Sequence, residues 1–68
     1  MTFEISIKGS SDYIILDAEN SKVAAEQYLM QQNLDEGDII EIINHYDGTT
    51  YLYNVTTSDQ NRLTVQHE

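Results

Sequence analysis

The side chains able to do acid, base or metal chemistry in this chain are 12 carboxylic acids, 2 histidines and 5 tyrosines, with no cysteine. Nucleophilic catalysis needs a nucleophile, a base and a group that orients the base, all within hydrogen-bond reach. His45 falls within a predicted strand and His67 beside the C-terminal residue, and both read as structural or solvated side chains. Carboxylates working as an acid/base pair need a cleft that raises one pKa, which a small two-layer domain rarely provides. The run Asp35-Glu36-Gly37-Asp38 has the composition of a calcium loop. An EF-hand spacing demands acids at alternate positions, a central glycine and a glutamate at loop position 12, and this run does not meet it. Gly9, Gly37 and Gly48 are too scattered for a phosphate loop. No catalytic residue, metal or cofactor is therefore expected, and the protein is expected not to be an enzyme.

Binding chemistry is more promising, and it begins with charge. Three Lys and Arg residues against 12 Asp and Glu give a formal charge of −9. Nucleic acids and anionic membranes are poor partners for such a chain, because both are bound through Lys and Arg that displace counterions from phosphates. The acidity is concentrated: residues 12–47 carry 9 acids against Lys22, a net of −8. Along a strand, same-face side chains recur every ~6.6 to 6.8 Å, a spacing of the same order as that of backbone phosphates. Asp35, Glu36, Asp38 and Glu41 are thus expected to imitate a nucleic-acid strand and occupy a basic groove on a partner protein. Asp47 joins them, with Glu19 and Glu26 secondary. A purely solvated acidic surface is the alternative. The acids are threaded among Tyr13, Ile15, Tyr28, Leu29, Ile39, Ile40 and Ile42, which is not the composition of a disordered acidic tail.

A second set of residues is apolar and expected to face outward. On the predicted helix, Val23 and Met30 lie opposite the core stripe. On the predicted sheet, Ile39, Ile43 and Leu52 lie on the side away from the helix. Such clusters on a small domain often mark a contact surface, and tyrosine suits interfaces with one apolar and one wet end. A homodimer pairing two open sheet faces is the competing expectation.

The elements that must position these residues follow from periodicity. At 68 residues the chain is one domain with a shallow core. No signal peptide or membrane span is expected, and the absence of cysteine fits a reducing cytoplasm. Thr2 to Lys8 alternates with Phe3, Ile5 and Ile7 on one side, the period of a half-buried strand. Gly9 to Asp12 is turn composition, and Tyr13 to Ala18 reads as a second strand paired back on the first. Asn20 or Ser21 caps a helix that runs to about Gln32, burying Ala24, Ala25, Tyr28 and Leu29. Asn33 is expected to end it in the left-handed conformation, with Leu34 as its hydrophobic partner.

The third strand spans Ile39 to Tyr46, and Asp47-Gly48 reads as the two-residue loop of a type I′ hairpin. That loop sets Asn44 opposite Tyr51, Ile42 opposite Tyr53 and Ile40 opposite Val55. A turn at Ser58 to Asn61 leads to a last strand, Arg62 to Gln66, with Leu63 and Val65 inward. The order ββαβββ predicts an α+β domain: one antiparallel sheet with a single helix packed on one face. The other face stays open to water or to a partner.

The stretch from Ile15 to Glu26, followed by Gly37-Asp38-Ile39-Ile40-Glu41-Ile42, resembles the layout of small phage-encoded anti-CRISPR proteins. A strand runs into an Ala-rich helix, then a glycine and a hydrophobic hairpin. The resemblance covers about residues 13–56 and departs from that group in charge, so no functional residue is carried over. What it implies is a class: a phage protein in the bacterial cytoplasm that inhibits a host defence protein by occupying its nucleic-acid-binding surface. A structural module forming a homo-oligomer through its open sheet face is the alternative.

Overall fold

The computed structural model describes residues 1–67. Five strands and one helix follow the predicted order: β1 (Thr2–Ile7), β2 (Ile14–Asp17), α1 (Ser21–Gln31), β3 (Ile39–Asn44), β4 (Thr50–Thr57) and β5 (Leu63–His67). The strands form a single antiparallel sheet in the order β2-β1-β3-β4-β5, and α1 packs across one face. The α+β architecture is therefore as expected. No helix is long and apolar enough to cross a membrane among the described residues.

Period-2 alternation places Phe3, Ile5, Ile40, Ile42, Tyr53, Val55 and Val65 under the helix, where all are buried. The helix contributes Ala24, Ala25 and Tyr28 to the same core. Two alanines at the contact let its backbone approach the sheet closely. Asn20, in an extended conformation, caps the first turn by accepting from the Val23 N–H at 2.9 Å. Ser21 is left to share a 2.7 Å hydrogen bond with the Tyr53 hydroxyl, tying the start of α1 to β4.

Several local expectations need correction. Asn33 is not left-handed, because Asn61 is the one non-glycine residue with positive φ among those described. Instead the Gln32 N–H closes the last helical turn on the Tyr28 carbonyl, and an extended Gln32 carries Leu34 back against the core. Val23 is half-buried rather than outward. Leu63 is 39% exposed rather than inward, since it fronts an open groove between α1 and β5.

The β3–β4 turn is wider than a type I′ loop. Gly48 has φ +74° but Asp47 does not, and type I′ requires both. Asn44 donates to the Thr49 carbonyl while Gly48 donates back to the Asn44 carbonyl, both at 2.8 Å, so residues 45–48 form the loop. Ile42 consequently faces Tyr51, and Ile40 faces Tyr53. This register differs from the expected one by two residues, which preserves the identity of the two faces. β3 also ends at Asn44 rather than Tyr46, which is 93% exposed in the loop.

Candidate interaction surfaces

The sheet face away from α1 is uncovered, and the pairing of strands dictates what stands on it. One cross-strand row reads Ile15, Glu4, Ile43 and Thr50. The next reads Ser6, Glu41 and Leu52, and a third Ile39, Asn54 and Gln66. Ile39, Ile43 and Leu52 thus lie where expected, half-buried by their neighbours, and Ile15 adds a fourth apolar side chain that is 51% exposed. Glu4 and Glu41 stand between these residues. They occupy diagonal positions on adjacent strands, a geometry that sets side chains roughly 7–8 Å apart. His45 comes within 3.5 Å of Glu4 (Nε2 to Oε1), an ion pair only when the imidazole is protonated, and among the described residues no Lys or Arg pairs with a carboxylate.

The expected carboxylates divide into groups. Asp35, Glu36 and Asp38 share the loop between α1 and β3, at the end of the sheet where β3 begins. The β1–β2 and β4–β5 loops reach the same end and add Asp12 and Asp59. Within this rim the acids also do local work. Asp38 accepts from the Asp35 N–H at 2.9 Å, and Glu36 accepts from the Thr57 N–H at 3.3 Å. Gly37, at φ +96°, makes the bend that lets its own N–H reach the Val55 carbonyl. Glu41 follows on β3 and extends the acidic surface from the rim onto the open face.

Asp47 and Glu19 lie at the opposite end of the sheet, in the β3–β4 and β2–α1 connections. Hydrogen bonds from the Thr49 backbone and then its side chain hold the Asp47 carboxyl below the usual carboxylate range. Asp47 is thus a turn-forming residue, accepting from the Thr49 N–H at 2.9 Å. Glu26 is on the flank of α1 beside β5, in a groove it shares with Lys22, Met30 and Arg62. Sequence reasoning missed Glu4 and Asp12. Glu4 was accessible to it, because Glu4 alternates with the core residues Phe3 and Ile5 and must share a face with Glu41 once β1 pairs with β3.

Among the described residues no three His, Asp or Glu side chains are grouped to hold a metal ion. Compared with protein-family models, curated proteins and solved structures, the chain has no match. The functional reading therefore rests on the surfaces themselves.

Proposed function

We propose that the protein is a non-enzymatic binding module that docks its helix-free face and the adjoining acidic rim on a basic surface of a partner protein. The observation that carries this reading is the placement of Glu4 and Glu41 among Ile15, Ile39, Ile43 and Leu52 on an uncovered sheet. Apolar side chains supply contact area and the two carboxylates select cationic partners, a combination suited to lysine- or arginine-rich grooves. Asp35, Glu36 and Asp38 continue the negative surface at the rim, and the −9 charge of the chain steers and accelerates the encounter. Nucleic-acid-binding proteins are the partner class with such grooves, and the decoy role extends to a host defence enzyme in the bacterial cytoplasm, as the anti-CRISPR-like layout implies.

Homo-oligomerisation through the open face is the weaker reading. Stacking two copies face to face would bring Glu4 and Glu41 of one against the same residues of the other, and like charges desolvated together are costly. The test is capture from bacterial lysate on the immobilised protein, followed by elution with duplex DNA or with salt. Release of a nucleic-acid-binding protein by both eluents is expected, and loss of that capture in a Glu4→Lys, Glu41→Lys double variant. A captured protein that DNA does not displace, or that binds the double variant equally, would overturn the reading. Charge-neutral Asp35→Asn, Glu36→Gln and Asp38→Asn together should weaken capture while keeping the oxygen acceptors that cap Asp35 and Thr57.

A further inference from the structure

The free edge of β5 carries a second surface, independent of the acidic one. Ser58 donates to the Arg62 carbonyl at 2.7 Å, which fixes the alternation of hydrogen bonds along the β4–β5 pair. Thr64 and Gln66 consequently direct their backbone groups to β4. Leu63, Val65 and His67 turn theirs outward, away from the sheet. Natural edge strands are commonly blocked by lysine, proline, a bulge or an inward charge. β5 reads Leu-Thr-Val-Gln-His in continuous register with β4 and has none of these.

Beside this edge runs an open groove of about 720 Å³, walled by Lys22, Glu26, Leu29 and Met30 of α1 on one side and by residues 62–66 on the other. Met30 is 86% exposed there and Leu63 is 39% exposed. The groove has a charge unlike the rest of the molecule. Lys22 and Arg62 are two of the three cations in the chain, and with Glu26 they leave the groove locally positive in a protein of charge −9.

Their positions are set by the fold. Ser21 bonds Tyr53, which pairs with His67, so α1 begins at the His67 end of β5. The loop after α1 reaches Val55 and Thr57, so α1 finishes at the Leu63 end. Lys22 and Arg62 thus stand at opposite ends of the groove, with Leu29, Met30, Leu63 and Val65 between them.

We propose that this groove accepts an extended segment of another protein as a sixth strand, with apolar side chains at alternate positions and a carboxylate at each end. The backbone of the segment pairs with Leu63, Val65 and His67. Its alternate side chains enter between Met30, Leu29 and Leu63, and its terminal carboxylates meet Lys22 and Arg62. Strand addition of this kind takes affinity from the main chain and specificity from the alternate side chains.

The probe is a blocked heptapeptide, Asp-Thr-Val-Thr-Val-Thr-Glu, whose acidic and apolar side chains share one face. Binding followed by NMR should slow exchange of the Leu63, Val65 and His67 amide protons and shift the Leu29 and Met30 methyl signals. Lys22→Glu with Arg62→Glu, both exposed and harmless to the core, should weaken it by about tenfold or more. The charge-swapped peptide, with Lys at both ends, should recover binding to that variant. Protection at β2 instead of β5, equal affinity of the variant for both peptides, or no binding at about 1 mM peptide would overturn the proposal. So would protection of Leu63 and Val65 that depends on protein concentration alone, since that would identify the occupant as a second copy of this chain.

Discussion

Tyr28 belongs to the helix and to the core, and its hydroxyl feels the charge of the acidic rim. Its ring is buried between α1 and the sheet, and burial raises its pKa above the ordinary 10.0, with the Asp12 carboxylate adding to the rise. A folded chain that holds this proton more tightly than the unfolded chain loses stability as pH climbs. The contribution is fully present below about pH 10, the unfolded value, and disappears as pH rises through the folded one. Unfolding midpoints in urea should therefore drop above that pH. Asp12→Asn removes the second cause and leaves burial in place, so the Tyr28 ring carbon signals should titrate at lower pH than in the parent but still above the ordinary 10.0. An unshifted Tyr28 titration in the Asp12 variant would show that the carboxylate does not act on the hydroxyl. Asp12 itself is not recognisable in the sequence as an influence on Tyr28, because the two come near each other only once β1 and β2 pair and set their turn at the end of the sheet where α1 finishes.

At the scale of elements, alternation and capping residues were legible and turn geometry was not. Phe3, Ile5 and Ile7 declare their strand by period alone, and Asn20-Ser21 declares the helix start without saying which of the two caps it. Asp-Gly declares a hairpin but not its loop length: Asn44 offers its side-chain oxygen to the Tyr46 N–H at 2.7 Å and its carbonyl to Gly48, favouring the wider loop. The expected register was off by two residues for that reason. The faces survived because a two-residue slip conserves them, which is why Ile39, Ile43 and Leu52 were placed correctly. The groove beside β5 escaped notice because it exists only once β5 is known to be an edge strand lying next to α1.

The wider loop makes a distinct prediction. A Cβ at Gly48 meets nothing within 4 Å, so replacement costs only the left-handed backbone, about 1–2 kcal/mol. Against a total of roughly 3–10 kcal/mol for a domain of this size, Gly48→Ala should lower the urea midpoint clearly without unfolding the protein. Gly48→Asn should recover part of the loss, since asparagine tolerates this conformation. A type I′ turn would in addition make Asp47→Gly stabilising. Here Asp47→Gly should destabilise, because it deletes the acceptor of the Thr49 N–H.

For the molecule as a whole, the two glutamates on the open face bear on self-association as well as on the proposed recognition. Four apolar side chains on an uncovered sheet are an invitation to self-association, and Glu4 and Glu41 interrupt that patch. Replacing both by valine, a residue that favours strands, should convert a monomer into dimers or larger species in sedimentation velocity at tens of micromolar. A double variant that stays monomeric would show that the carboxylates do not hold the face single. The parent should change little with added salt, because screening two carboxylates leaves their desolvation cost in place.

The placement of β1 between β2 and β3 has a consequence for the order in which the molecule forms. Its Phe3 pairs with Leu16 on one side and with Asn44 on the other. A nascent chain that has released only β1, β2 and α1 holds a two-stranded hairpin, which is marginal in water, and a helix with half its sheet missing. Central strand β1 completes its pairing only after β3 emerges. The domain should accordingly assemble late and in one step, at the slower rate that pairing between distant segments imposes.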